Sequence, residues 1–119
     1  MKPKIYLIAS WVVLVLMALG FILASIGKLT GAAAPMFAKW GYPAWFATFI
    51  GAAELAGAIG LLIPKLTRYA VVGLTFVMVG AGYTHIANGE GLAVLRPIMF
   101  LALLWVGLWL RQMSATTEA

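Results

Sequence analysis

Apolar residues fall into four long runs, separated by short segments rich in polar residues, glycine or proline. The first run, residues 5–27 (IYLIASWVVLVLMALGFILASIG), carries no charge. At 1.5 Å per residue it is long enough to cross a hydrocarbon core of ~30 Å. A signal peptide is the competing reading, with Lys2 and Lys4 as its basic start and Ala18-Leu19-Gly20 as a cleavage site. The apolar part of a signal is only ~7–15 residues, so the length favours a retained span. Residues 28–43 hold Gly31, Pro35, Gly41 and Pro43 and read as a loop, with a short interfacial helix between Ala32 and Trp40. The second span is predicted over 44–63 and contains a single charge, Glu54. Pro64 stops it, and 64–68 form a tight turn.

The third span is predicted over 69–88, its polar residues gathered at the end as Tyr83, Thr84, His85 and Asn88. Gly89-Glu90-Gly91 breaks it. The fourth is predicted over 92–110. A start at Pro97 would leave only ~21 Å of helix, which favours a start near Leu92 and a kink at the proline. The polar tail from Arg111 onward is expected to fray. The pattern therefore predicts an all-α, polytopic bundle of four transmembrane helices, a single domain over 1–119.

Composition agrees. Hydrophobic residues make up 65% of the chain and charged residues 9%, against about half and a quarter in soluble domains. That excludes a soluble enzyme and a disordered tail. The net charge of +5 is too scattered to form a nucleic-acid surface and instead marks helix ends. The absence of cysteine removes thiol chemistry and thiolate metal sites, and the single His excludes a three-His zinc centre within the chain. No metal site is expected. Lys2, Lys4, Lys65, Arg68 and Arg111 fall on one side, with Lys28, Lys39 and Arg96 on the other. The bias places both termini in the cytoplasm.

The candidate chemistry lies toward the opposite side. Glu54 shares a helix face with Ala47, Gly51, Gly57 and Ala58, a small-residue stripe where helices approach closely. It should therefore point into the bundle. A lone carboxylate at midplane costs ~2.5–3.5 kcal/mol on insertion scales, so it needs a partner. Lys28 and Arg96 are the available cations, and Lys28 is the expected one. His85 shares a face with Met78, Ala81, Gly82 and Asn88 and is expected to hydrogen-bond near Glu54, within one polar cavity open to the outside. Structural roles compete: buried ion pairs also hold helices together, helix-end lysines snorkel, and a lone His is more often a satisfied polar residue than a ligand. Trp40, Tyr42 and Trp45 read as an aromatic belt. Gly20, Gly27, Gly51, Gly57, Gly60, Gly73, Gly80 and Gly82 are expected to serve helix packing.

Gly27-Lys28-Leu29, Phe37, the run Trp40-Gly41-Tyr42-Pro43-Ala44-Trp45, Gly51, the run from Glu54 to Leu62, Pro64 and Thr84-His85 occur in an order that resembles the DoxX-like family of small four-helix bacterial membrane proteins. The resemblance spans nearly the whole chain and maps the family's lysine, glutamate and histidine onto Lys28, Glu54 and His85. It implies a bacterial inner-membrane location and a link to membrane redox systems or to assembly of other membrane proteins. Three function classes follow. The first is a non-catalytic subunit of a membrane oxidoreductase. In it Glu54, His85 and Lys28 would bind a quinone or other small ligand, with Arg96, Trp40, Phe37, Thr84 and Asn88 as weaker contributors. The second is a structural or assembly factor, the polar cluster only fixing the bundle. The third is a small multidrug-type proton-coupled transporter. There the intramembrane Glu lies in the first span, whereas here it is in the second. A homo-oligomer is compatible with small-xxx-small pairs such as Ala53 and Gly57.

Overall fold

The computed structural model describes residues 2–118, with side chains from residue 4 to 115. The Lys2 charge used for orientation therefore lies outside the described side chains. Five α-helices form, α1 (Lys2–Leu29), α2 (Ala34–Lys39), α3 (Phe46–Leu62), α4 (Thr67–Ala87) and α5 (Leu95–Glu118), with a 3-10 turn at Gly91–Val94. No strand occurs among the described residues. α1, α4 and the stretch Gly91–Ala115 are each long and apolar enough to cross a membrane; α3 is apolar but shorter, at 17 residues. Several helices of this length and apolarity make the chain a multi-pass membrane protein.

The four long helices pack in a closed ring, α1 against α3 and α5, and α4 against α3 and α5. The core is drawn from one stripe of each: Leu14, Met17, Ala18 and Phe21 on α1, Ala58 and Leu61 on α3, Val71, Leu74 and Met78 on α4, Leu104 and Leu108 on α5. The opposite faces leave Leu23, Phe49, Phe76 and Trp109 exposed, as lipid contact requires. The short α2 caps one end, its buried Phe37 against the rings of Trp40, Tyr42 and Phe46.

Glycine divides into two groups. A Cβ on Gly57 would come 2.6 Å from Leu74, on Gly107 2.7 Å from Leu14, and on Gly51 2.8 Å from the Cβ of Lys28. Gly60 and Gly20 are nearly as close to Ala70 and Phe100, at 3.0 and 3.1 Å. These glycines let the helix axes approach. Gly27, Gly73 and Gly80 have nothing within 4 Å, which corrects the packing role expected of them. None of the three holds two helices in close approach.

Two further expectations change at α5. Pro97 lies in the first turn of the α-helix, where its missing N–H has no intrahelical partner to lose, so it causes no kink. The tail does not fray at Arg111: the helix continues to Glu118, with no Gly or Pro to end it. Arg111 turns back onto α1. Its Nε donates to Ser10 Oγ at 3.0 Å and its guanidinium lies 4.6 Å over the Trp11 ring. An Arg at a helix end is the one trace of this polar contact along the chain.

Candidate functional site

The polar residues collect at one end of the bundle, but in two clusters rather than one. The first joins α1 to α3. Gly51 brings α3 against the last turn of α1, and Glu54, one turn further on, reaches the same helix. Lys28 Nζ lies 2.9 Å from Glu54 Oε1. Its ammonium also donates to the Ala24 carbonyl at 3.3 Å. Glu54 is 3% exposed and Lys28 19%. At 2.9 Å the ammonium is within charge-assisted hydrogen-bond reach of the carboxylate, and opposite charge holds the pair.

The second cluster is built by helix caps. At the end of α4, the Glu90 N–H donates to the His85 carbonyl at 2.8 Å and the Gly89 N–H to the Ile86 carbonyl at 3.2 Å. This is a Schellman motif, with Gly89 at φ +70° supplying the left-handed residue. α2 ends the same way: the Tyr42 N–H donates to Phe37 O at 3.1 Å, the Gly41 N–H to Ala38 O at 3.0 Å, and Gly41 has φ +90°. In this motif the second residue past the cap returns beside the residue five earlier. Glu90 is thereby set on His85, and Tyr42 on Phe37, their ring centroids 6.0 Å apart.

The Glu90 carboxylate accepts from His85 Nδ1 at 2.8 Å and from Trp40 Nε1, which lies 3.2 Å from both oxygens. The Trp40 ring stands edge-on to the imidazole, centroids 5.5 Å apart. The His85 hydrogen bond, then that of Trp40, holds the Glu90 carboxyl below the usual carboxylate range, with a smaller contribution from Lys39. Because Nδ1 donates to Glu90, the neutral imidazole leaves Nε2 as an acceptor. Thr84 Oγ1 donates to the Gly80 carbonyl at 2.8 Å, so the Tyr42 phenol is the donor in its 2.6 Å contact with Thr84. Asn88 Nδ2 donates back to Thr84 O at 2.8 Å.

Among the sequence candidates, the structure therefore brings Lys28 to Glu54 and Trp40 to His85. It does not bring His85 into hydrogen bonding with Glu54, nor Arg96 to any described acid. The expected single outward cavity is instead a pocket of about 200 Å³ lined by His85, Leu92, Ala93 and Arg96. Asn88 and Thr84 are used within the protein, and Phe37 is buried among rings. Glu90 was missed, because an acid between two glycines reads as solvated loop. The signal that could have found it is its spacing: a residue five past His85 with Gly between them at position four.

No curated protein and no solved structure matches the chain. A family profile, described as the DoxX-like family, matches residues 12–107, which take in both clusters, the two Schellman glycines and all but the ends of α1 and α5. By that match over most of its length, the protein belongs to the DoxX-like family.

Proposed function

We propose that this DoxX-type membrane protein is a non-catalytic subunit or accessory of a membrane redox system, with a small-ligand site at its polar end. A quinone is the ligand class this reading takes first. The observation that carries it is the Lys28–Glu54 pair: a carboxylate 3% exposed, held in an apolar bundle at a distance of 2.9 Å from its cation. Desolvating two charges is costly, and apolar residues of similar size would join α1 to α3 at least as well. Intramembrane ionisable groups are functional by default on that account.

In this reading Glu54 and His85 exchange protons with the ligand's oxygens, Lys28 holds the Glu54 charge, and Phe37 and Trp40 cover the site. The groups at this end suit a ring that cycles between carbonyl and hydroxyl: the Lys28 ammonium can donate, and His85 Nε2 can accept while Nδ1 is held by Glu90. A bound quinone supplies two-electron, two-proton chemistry; the chain supplies proton-holding groups and exclusion of water. α3 acts as a fourth crossing. Its 17 residues give ~26 Å, and the flanking Ala44, Trp45 and Ile63 extend the apolar run toward ~30 Å. The setting is a bacterial inner membrane with both termini in the cytoplasm.

The test is Trp fluorescence of the purified protein titrated with a short-chain quinone. A saturable change that disappears in Glu54→Gln supports the reading; an identical change in the variant overturns it. The assembly-factor reading has one observation in its favour: neither the pocket at His85 nor the groove between α3 and α4 is lined by Glu54 or Lys28. A stable partner in pull-downs, with no quinone response, would decide for it.

A further inference from the structure

The corner where α2, α4 and α5 meet carries unbalanced charge. Glu90 is its only described acid, and its two oxygens are taken up by His85 and Trp40. Around it stand Lys39, close enough to act on the Glu90 carboxyl, and Arg96. Arg96 is exposed and has no acidic partner among the described residues. Lys39 and Arg96 set two fixed cations against the one anion of the corner, so one negative charge is missing.

The pocket of about 200 Å³ has Arg96 and His85 on its wall, several times the ~30 Å³ a water occupies in the liquid. Its remaining lining, Leu92 and Ala93, is apolar, and Leu92 is 85% exposed. The aromatic rings of Trp45 and Tyr83 at this end, 63% and 69% exposed, mark headgroup depth. A guanidinium is a fork of donors suited to phosphate oxygens. The imidazole Nε2, its partner nitrogen committed to Glu90, is an acceptor. One wall therefore asks for negatively charged oxygens and the other for a hydroxyl hydrogen.

We infer that this pocket binds a phosphate monoester group in its singly protonated form at the membrane surface, Arg96 taking the charged oxygens and His85 Nε2 accepting from the P–OH. The inference does not depend on the quinone reading. A phosphodiester has no P–OH and fits only the Arg96 half. The same chemistry is offered by a phosphatidic acid headgroup or by a soluble phosphate.

The experiment uses the full chain in phosphatidylcholine nanodiscs. One arm titrates inorganic phosphate and follows Trp emission, since Trp40 touches both His85 and Glu90. The other replaces a fraction of the lipid with phosphatidic acid or phosphatidylglycerol and counts retained lipid by native mass spectrometry. Expected are saturable binding in at least one arm, phosphatidic acid retained over phosphatidylglycerol, and weakening of about tenfold in Arg96→Gln. His85→Asn, whose amide nitrogen takes the place of Nδ1 and can still donate to Glu90, should erase the monoester preference while leaving charge-driven binding. Binding in the lipid arm alone assigns the ligand to a headgroup, and in the phosphate arm alone to a soluble ligand. Absence of binding in both arms overturns the inference, as does binding unchanged in Arg96→Gln. Glu54→Gln should bind phosphate as the unmodified protein does, so failure of the quinone test leaves this result intact. Circular dichroism of each variant guards against misfolding.

Discussion

The Lys28–Glu54 pair can be weighed by a double-mutant cycle. Lys28→Met strands a carboxylate that is 3% exposed, on a helix otherwise free of charge. Breaking a buried pair by removing one partner costs ~3–5 kcal/mol. Glu54→Gln strands the lysine instead, but Lys28 is 19% exposed, already donates to the Ala24 carbonyl, and has a stem long enough to reach the interface. Its loss should be nearer the ~1.5 kcal/mol of a weak charge-assisted contact. The double variant leaves no buried charge and should cost close to nothing, or stabilise. The cycle then gives a coupling energy of roughly 4.5–6.5 kcal/mol, above the usual ~0.5–3 kcal/mol for residues in contact because it includes the cost of the stranded charge. The assay is reversible unfolding in mixed micelles of increasing SDS fraction, followed by circular dichroism. A Lys28→Met loss under ~1 kcal/mol would refute the reasoning, as would singles that add to the double within ~0.5 kcal/mol.

Gly51→Ala should destabilise: its Cβ would sit 2.8 Å from the Cβ of Lys28, and overpacking of ~1–3 kcal/mol outweighs the ~1 kcal/mol of helix propensity gained. Gly80→Ala, with nothing within 4 Å, should be neutral or stabilising in the same unfolding assay; reversal of this order would sink the close-approach argument. For Glu90, the folded carboxyl titrates below its ordinary 4.5, so its bonds to His85 and Trp40 are fully present above that value and are lost as pH falls below it. The part of the Trp emission change that reports loss of the Glu90 bonds should therefore appear only below about 4.5. In Glu90→Gln that shift should be absent, and its survival would show that another group carries it.

The helices were legible because lipid imposes one rule on every turn, and 5–27, 44–63, 69–88 and 92–110 obey it apart from Glu54 and Arg96. Their ends moved by a few residues: α3 begins at Phe46, α4 at Thr67 and α5 at Leu95, and α5 runs on to Glu118. Lys28 and Glu54 could be paired from the chain alone: an acid on a small-residue face must find a cation, and few were within reach. His85 was misassigned for the complementary reason. Periodicity places it on an inward face near Glu54, but a closer acid is supplied by the turn that follows it, and turns carry no periodicity. Arg111 was read as a terminal charge because nothing in a helical period announces that Ser10, a hundred residues earlier, lies opposite.

The two Schellman caps show how local chemistry reaches the site. Each needs one glycine at positive φ, Gly41 in one case and Gly89 in the other. Each returns the chain onto the residue five back, and the two returned residues, Tyr42 and Glu90, are the ones that tie α2 and its cap to α4. Tyr42 does so by donating to Thr84, and Glu90 by accepting from Trp40. Neither contact involves the hydrophobic core. α2 makes few other attachments to the bundle, so its position over the polar end is set by these two returns and by the ring cluster around Phe37. A side chain at Gly89 would disfavour the conformation that carries Glu90 to His85, and with it the Trp40 bond, while the apolar stripes of α1, α3, α4 and α5 kept their contacts. The bundle and the His85–Glu90 cluster are thus specified by different residues: the first by lipid-scale apolar patterning, the second by two glycines and the residues that follow them.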